Sequence, residues 1–200
     1  MKRDRKLTSR RNSQSSATGT IRIIAGQFRG RKLPVLDAEG LRPTTDRTKE
    51  TVFNWLMHDV LNTHCLDLFA GSGGLGFEAL SRYASKVTFV ETDILSAKQL
   101  QTNFTQLNTN KDQFILSIGD AFEFLAKTND KYGLIFLDPP FGKSWVEPAV
   151  EAIIKRDLLV DGGLIYVEQE NSTTFAGSDY GLTLKKQKTT RQVSCSLWRK

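Results

Sequence analysis

The chain has 200 residues, of which 39% are hydrophobic and 25% are charged. This length and composition fit one globular domain with a short appendage. No apolar stretch approaches the roughly 18 residues of a membrane span, and the N-terminus lacks the apolar segment of a secretory signal peptide. We therefore expect a cytoplasmic protein without a membrane-spanning segment.

Cysteine and histidine usage argues against a disulfide framework and against a metal centre. The two cysteines, Cys65 and Cys195, lie in apolar runs, as buried thiols of a reducing compartment do. The two histidines, His58 and His64, do not stand at ligand spacing with either cysteine. We predict no metal site.

The excess positive charge is concentrated in the first quarter of the chain. Residues 1–50 contain thirteen Lys or Arg and five Asp or Glu, a net charge of +8, whereas residues 51–200 have a net charge of −2. Such asymmetry favours a polyanionic partner that docks at the N-terminal end.

The N-terminal quarter divides into three predicted segments. Residues 1–20 are polar and charged and are predicted to form a disordered basic tail. Residues 21–45 are assigned to an N-terminal extension that contains a basic β-hairpin, built from the apolar runs Ile21–Ala25 and Lys32–Leu36 around a glycine-containing turn. A helix is predicted over residues 46–60, where apolar residues recur on one helical face and open the main domain, 46–200.

The remaining sequence alternates between strand and helix patterns. Predicted strands are Cys65–Ala70, Lys86–Glu91, Phe114–Ile118, Leu134–Leu137 and Leu164–Val167, and predicted helices are 74–83, Ile94–Leu107, Ala121–Lys127 and Val146–Lys155. Continuously apolar strands that alternate with helices are typical of a doubly wound α/β fold with a parallel sheet. The last two strand patterns, Leu182–Lys188 and Gln192–Trp198, are too close for a crossover helix, which predicts an antiparallel C-terminal hairpin.

A glycine-rich loop follows the first strand of this alternation and opens a helix. The segment 67–76 reads Asp-Leu-Phe-Ala-Gly-Ser-Gly-Gly-Leu-Gly, and its glycines let the backbone approach a ligand closely. Acidic residues stand at the ends of three successive strands: Asp67 suits a cationic amine, Glu91 two ribose hydroxyls and Asp120 an adenine amino group. This set favours an adenosine that carries an α-amino acid, as in S-adenosylmethionine, over a pyrophosphate. The candidate cofactor-binding residues are Asp67, Phe69, Ala70, Gly71, Gly73, Glu91, Asp93, Asp120 and Ala121.

A second motif, Asp138-Pro139-Pro140-Phe141, ends the fourth strand of the alternation. The two prolines stiffen the backbone, so that the Asp138 carboxylate and the Pro139 carbonyl form a fixed pair of hydrogen-bond acceptors. An exocyclic amine of a nucleobase offers two N–H donors that match this pair. Phe141 can stack on the base. We predict that these four residues are the catalytic segment of an amine methyltransferase that needs no metal.

Basic residues near the N-terminus are candidates for binding RNA phosphates. They are Arg22, Arg29, Arg31, Lys32, Arg42 and Arg47. Arg42, Arg47 and Lys49 lie just before or in the first turn of a predicted helix, where the helix dipole disfavours cations. This placement favours a ligand-facing role for all three.

The motifs together resemble the bacterial 16S rRNA (guanine(966)-N(2))-methyltransferase family. The resemblance rests on the segments 42–50, 67–76 and 138–141, and on the run Ile-Arg-Ile-Ile-Ala-Gly-Gln-Phe-Arg-Gly-Arg-Lys-Leu at 21–33, and it covers about residues 20–200. It implies a Rossmann-like class I methyltransferase fold with a mostly parallel seven-stranded sheet, and S-adenosyl-L-methionine as cofactor. It further implies that Gly71 and Gly73 line the methionine end, Glu91 the ribose, Asp120 the adenine and 138–141 the target guanine. The implied partner is 16S rRNA in the 30S subunit or its assembly intermediate, and we expect a monomer.

Three other functions stay open from the residues alone. An adenine-N6 methyltransferase on DNA or RNA would use the same acceptor pair, because the pair fits any exocyclic amine. An RNA-binding ribosome assembly factor would bind cofactor without turnover. A small-molecule N-methyltransferase would have no use for the basic N-terminal quarter.

Overall fold

The computed structural model describes residues 19–36, 46–172 and 175–200. The strands are β1 (Gly19–Arg22), β2 (Lys32–Val35), β3 (His64–Asp67), β4 (Lys86–Glu91), β5 (Phe114–Ile118), β6 (Tyr132–Leu137), β7 (Leu159–Glu170), β8 (Thr183–Thr189) and β9 (Val193–Arg199). The α-helices are α1 (Asp46–Trp55), α2 (Gly74–Ser81), α3 (Ile94–Leu107), α4 (Ala121–Lys127) and α5 (Val146–Lys155). Short 3-10 turns cover Lys111–Gln113 and Gly177–Tyr180.

Seven of the described strands form one sheet, in the order β5-β4-β3-β6-β7-β9-β8. The first five pair in parallel, and β9 pairs antiparallel with both β7 and β8. The predicted α/β fold, with its parallel sheet and antiparallel C-terminal hairpin, is confirmed. The strand order reverses between β3 and β6, and open α/β sheets bind ligands at such a point, beyond the carboxyl ends of the strands.

Helices cover both faces of the sheet because successive strand residues point to opposite sides. In β6, Leu134 and Phe136 pack into the core beneath α1, α2 and α3, while Ile135 and Leu137 pack beneath α4 and α5. The face covered by α1, α2 and α3 is called the α1 face below. The strands that the sequence showed as continuously apolar are therefore those covered on both sides.

The N-terminal hairpin of β1 and β2 is built into the α1 face. Its buried residues Ile21, Leu33 and Val35 belong to the same core as α1 and α2. The buried carboxylate of Glu78 accepts hydrogen bonds from the backbone N–H of Ile24 at 2.8 Å and of Ala25 at 3.1 Å. Fixed in this way to α2, the hairpin holds its exposed basic residues at a set position relative to the sheet.

Several predicted bounds were wrong. Gly19 and Thr20, which we assigned to the disordered tail, are part of β1, and residues 1–18 lie outside the described residues. The first parallel strand ends at Asp67 instead of residue 70, because the chain turns there into the glycine-rich loop. Helix α1 ends at Trp55 instead of residue 60. Leu56 and Val60 are nevertheless buried, in turns, so their apolar spacing reflected burial and not helix.

Gly26 tests how tightly the hairpin is fixed, and Gly30 is its matched control. Both have left-handed backbone conformations, with φ of 81° and 83°. A Cβ at Gly26 would lie 1.9 Å from the carbonyl oxygen of Ser81, whereas a Cβ at Gly30 has nothing within 4 Å. We expect Gly30→Ala to lower the free energy of unfolding by about 1–2 kcal/mol, the cost of left-handed backbone. Gly26→Ala should lower it by roughly 2 kcal/mol more, because the hairpin must shift.

Urea unfolding of both variants measures this difference. Equal losses of stability would contradict close docking of the hairpin on α2.

Candidate functional site

A cavity of about 810 Å³ opens at the carboxyl ends of the parallel strands. Its volume falls in the range of about 300–1,000 Å³ that is usual for small-molecule sites. The wall includes the glycine-rich loop, the ends of β4 and β6, the start of α1 and the hairpin of β8 and β9. One cavity thus combines the two motifs that the sequence singled out.

Asp67 anchors the glycine-rich loop from beneath. Its carboxylate Oδ2 accepts a hydrogen bond from the backbone N–H of Gly76 at 2.9 Å. A Cβ at Gly76 would lie 2.2 Å from the ring of Phe89, so glycine is required for α2 to start so close to β4. Gly73, at the N-terminus of α2 with φ of 79°, is not among the residues that line the cavity. A Cβ there would collide with Leu100 and Phe77.

Glu91 connects the glycine-rich loop to the next strand. Its Oε2 accepts a hydrogen bond from the N–H of Gly71 at 2.7 Å, and its Oε1 accepts one from the N–H of Asp93 at 2.8 Å. Each carboxylate oxygen has a second lone pair. The Glu91 side chain is therefore held firmly at the cavity wall and retains capacity for ligand hydroxyls.

Asp93 and Asp120 combine a helix-capping role with a position on the cavity wall. The Asp93 carboxylate accepts a hydrogen bond from the N–H of Ser96 at 2.7 Å, and this bond is the main cause of a lowered pKa of Asp93. Asp120 Oδ1 accepts hydrogen bonds from the N–H groups of Phe122 and Glu123 at the start of α4. Capping explains why an acidic residue stands at each position and leaves the cavity side of each carboxylate available to a ligand.

The segment Asp138–Phe141, called the acceptor motif below, lies on the same cavity wall, at the end of β6. Pro139 is buried, Asp138 is half-buried and Phe141 is 41% exposed at the rim. All of residues 138–141 line the cavity. Residues 138–141 therefore border the space into which the glycine-rich loop also opens.

Aromatic packing defines another part of the wall. Phe69 is half-buried, lines the cavity and stacks on Trp145, with ring centroids 5.8 Å apart. Trp145, to which the sequence gave no role, also packs edge-on against Phe122. The position of Trp145 in the cavity wall depends on the path of the loop between β6 and α5. No local sequence signal predicts that position.

The C-terminal hairpin brings further polar groups that sequence reasoning missed. Glu168 of β7, Cys195 of β9 and Lys188 of β8 stand opposite one another across the three strands and line the cavity. Burial raises the pKa of the Cys195 thiol to about 11, and the negative charge of Glu168 adds to this. Lys188 Nζ also contacts Thr51 of α1 at 3.2 Å, which joins the hairpin to that helix.

The candidate RNA-binding residues fall into several groups. Arg22, Arg29, Arg31 and Lys32 are exposed on the N-terminal hairpin, outside the cavity, and Arg47 lines the cavity. Arg31 donates a hydrogen bond to the carbonyl of Gln106 at 2.9 Å. Arg42 lies outside the described residues.

The ligand-facing role inferred for Lys49 was wrong. Its side chain is buried, donates a short hydrogen bond to the carbonyl of Arg22 and forms an ion pair with Asp46 at 3.5 Å. These two interactions within the protein stabilise the cation, although the helix dipole disfavours it in the first turn of α1.

The titration of Asp67 tests how well water solvates the carboxyl group at the floor of the cavity. Burial raises the pKa of its carboxyl to about 7. The hydrogen bond from Gly76 lowers this pKa, and the negative charge of Glu91 raises it. The unfolded chain releases this proton near pH 4, so this group makes the folded protein less stable as pH rises from about 4 to 7. Asp67→Asn keeps an acceptor for Gly76 and removes the titration.

We expect the free energy of unfolding of the wild type, relative to Asp67→Asn, to fall by up to about 4 kcal/mol between pH 4 and pH 8. Denaturant unfolding of the ligand-free proteins at several pH values measures it. A difference that does not change with pH would mean that Asp67 is well solvated.

Comparisons with known proteins agree with this architecture. The family model described as Conserved hypothetical protein 95 matches residues 21–199. A Haemophilus influenzae protein named ribosomal RNA small subunit methyltransferase D is 46% identical over 185 residues, covering 92% of this chain and 95% of that protein. An Escherichia coli structure titled putative methyltransferase yhhF is 42% identical with a TM-score of 0.81, covering 91% of this chain and 98% of that one.

A more distant structure, SMU.776, is titled as a putative methyltransferase complexed with SAH. It is 15% identical with a TM-score of 0.66, and covers 84% of this chain and 53% of that chain. That likeness concerns the fold alone. The family model and the Haemophilus influenzae relative both extend over nearly the whole chain, so the protein belongs to the Conserved hypothetical protein 95 family and, within it, to the ribosomal RNA small subunit methyltransferase D group.

Proposed function

We propose that this protein transfers a methyl group from S-adenosylmethionine to the exocyclic N2 amine of a guanine in 16S rRNA, in the 30S subunit or an assembly intermediate of it. The observation that carries the proposal is that the acceptor motif 138–141 and the glycine-rich loop face one cavity. The name of the Haemophilus influenzae relative refers to methylation of small-subunit rRNA and supports the substrate class.

The residues on the strand ends fit S-adenosylmethionine. Asp67, Glu91 and Asp120 end or follow three neighbouring parallel strands and present carboxylates to the cavity. In this proposal Asp67 faces the amino group of the methionine end, Glu91 accepts from the ribose hydroxyls and Asp120 accepts from the adenine amine. The negative charges of Glu91 and Asp120 would repel a pyrophosphate. The bound cofactor supplies an activated methyl group.

The acceptor motif prepares the target amine. The lone pair of an exocyclic amine is delocalised into the purine ring, which makes it a weak nucleophile. Hydrogen bonds from its two N–H groups to the Asp138 carboxylate and the Pro139 carbonyl orient the amine and localise the lone pair. Phe141 stacks on the base after the base has left its own stack. As N2 gains the methyl group, one of its two N–H protons passes to the Asp138 carboxylate that accepts a hydrogen bond from it. The remaining contributions are orientation and electrostatics, of which orientation can supply roughly 7–11 kcal/mol.

The exposed basic residues bind the RNA backbone around the target base. Arg22 and Lys32 stand directly opposite each other on β1 and β2, an arrangement that destabilises a hairpin unless an anion lies between the two charges. Arg29 is also exposed on this hairpin, and Arg47 lies at the cavity itself. Phosphates along the α1 face would meet these four cations while the base enters the cavity.

Asp138→Ala tests the chemical half of the proposal. Loss of one electrostatic partner of a reacting group commonly lowers kcat by about 10²–10³, and we expect at least that loss in methyl transfer to unmodified 30S particles. The affinity for S-adenosylhomocysteine, measured by calorimetry, should stay nearly unchanged. Loss of cofactor affinity with retained turnover would assign Asp138 to cofactor binding and contradict the proposed chemistry.

The RNA surface is tested with Arg29→Gln combined with Lys32→Gln, because Arg31 is engaged with Gln106. Each lost phosphate contact makes the slope of log affinity against log salt concentration less steep by about 0.7–0.9. The slope of the double variant should therefore be less steep than that of the wild type by roughly 1.5. Lys127→Gln with Lys155→Gln, on the opposite sheet face, removes the same charge and should leave the slope near the wild-type value. If both pairs changed the slope equally, the N-terminal hairpin would not be the RNA contact.

A further inference from the structure

Glu168 stands beside the acceptor motif, on the neighbouring strand. Leu137 of β6 pairs with Val167 of β7, and Asp138 and Glu168 are the next residues along these two parallel strands. Neighbouring strands lie about 4.8 Å apart. The two carboxylates therefore extend from adjacent backbone positions at the same edge of the sheet.

Strand alternation places both carboxylates on the α1 face. Phe136 and Tyr166, two residues earlier on their strands, are packed in the core of that face. Side chains two residues apart on a strand point to the same side, so Asp138 and Glu168 point that way as well. Both line the cavity.

Glu168 is held in place by its surroundings. The side chain is 8% exposed, and its Oε2 accepts a hydrogen bond from the Tyr166 hydroxyl at 2.7 Å. A carboxylate has about four acceptor positions on its two oxygens, so this bond orients the group without exhausting it. A nearly buried, oriented carboxyl group in a cavity wall fits a ligand that presents N–H donors.

We propose that Glu168 accepts a hydrogen bond from N1–H of the target guanine and thereby selects guanine over adenine. This inference rests on the proposed function. The N1 and N2 atoms of guanine together carry three N–H donors, one on N1 and two on N2, and the wall offers three acceptors, on Asp138, Pro139 and Glu168. Adenine carries an acceptor at N1, which would face the Glu168 carboxylate with like polarity. Sites built to hydrogen-bond a substrate strongly reject an analogue that lacks the matching group.

The acceptor motif alone fits any exocyclic amine, which is why it leaves guanine N2 and adenine N6 equivalent. Glu168 removes that equivalence because it addresses the ring nitrogen next to the amine. The role is one of specificity: Glu168 takes no proton and forms no bond to the methyl group.

The base analogue 2-aminopurine separates the two contributions. It keeps the exocyclic N2 amine and replaces the N1–H donor of guanine with an acceptor. The substrates are 30S particles reconstituted with 16S rRNA that carries either guanine or 2-aminopurine at the position the wild type methylates, located by mass spectrometry. The ratio of kcat/KM for guanine to that for 2-aminopurine is measured for wild type, for Glu168→Gln and for Glu151→Gln, an exposed control on α5.

We expect Glu168→Gln to lower this ratio roughly 10- to 100-fold, the loss that follows from removing a hydrogen bond to a charged group. The glutamine amide can donate to N1 of 2-aminopurine, so transfer to the analogue should rise while transfer to guanine falls. The substitution is isosteric and keeps an acceptor for Tyr166, and S-adenosylhomocysteine affinity should not change. Glu151→Gln should behave as wild type.

Equal slowing on both substrates, with the ratio unchanged, would overturn the inference and assign Glu168 a structural role. That result would leave the proposed function intact, because guanine would still be methylated. Wild-type protein that transfers no methyl group to the guanine particle would overturn the proposed function, and this inference with it.

Discussion

Parallel pairing of β4, β3, β6 and β7 fixes where the carboxylates of the cavity stand. Glu91, Asp67, Asp138 and Glu168 each lie at or next to the carboxyl end of one of these strands, and all four line the cavity. The wall is consequently rich in hydrogen-bond acceptors that are rigid because the sheet holds them. Such a row fits a ligand that presents hydrogen-bond donors. In the proposed function, the α-amino group and ribose hydroxyls of S-adenosylmethionine do so at one end of the row, and the amine of a nucleobase does so at the other.

The same rigidity gives the basic N-terminal hairpin a fixed place beside the cavity. The N-terminal hairpin is fixed to α2 through Glu78 and Ser81, so its basic residues have a set position relative to the cavity. Lys188 links the C-terminal hairpin to α1 through Thr51. In the proposed function, phosphate contacts determine where RNA docks, and the cavity determines which base reacts. In this account, binding and selection use different residues and can be separated by mutation.

Much of the fold could be predicted from the sequence, because local sequence signals mark where its elements begin and end. The strands Lys86–Glu91 and Phe114–Ile118 and the helices Ile94–Leu107 and Val146–Lys155 have the predicted bounds, since turn residues or acidic caps flank most of them. The glycine-rich loop and the acceptor motif were also legible as motifs. Trp145 was not, because its place depends on the loop between β6 and α5. Glu168 and Lys188 were not, because β9 lies between β7 and β8 and long-range pairing brings these two residues to the cavity. The prediction for Lys49 was wrong for the same reason. Its partners are Asp46 and the carbonyl of Arg22, and Arg22 is 27 residues away in the sequence.

In the proposed function, one row of acceptors presents a guanine amine to the methyl donor. The most direct test of this function is the chemical identity of the product, obtained by incubating the protein with labelled S-adenosylmethionine and unmodified 30S particles, naked 16S rRNA, DNA or small amines. The labelled nucleosides are then separated and identified by mass spectrometry. We expect N2-methylguanosine from the particle or its rRNA and no labelled product from DNA or the amines. Labelled N6-methyladenine would contradict the guanine assignment, and cofactor binding without any transfer would contradict methyl transfer itself.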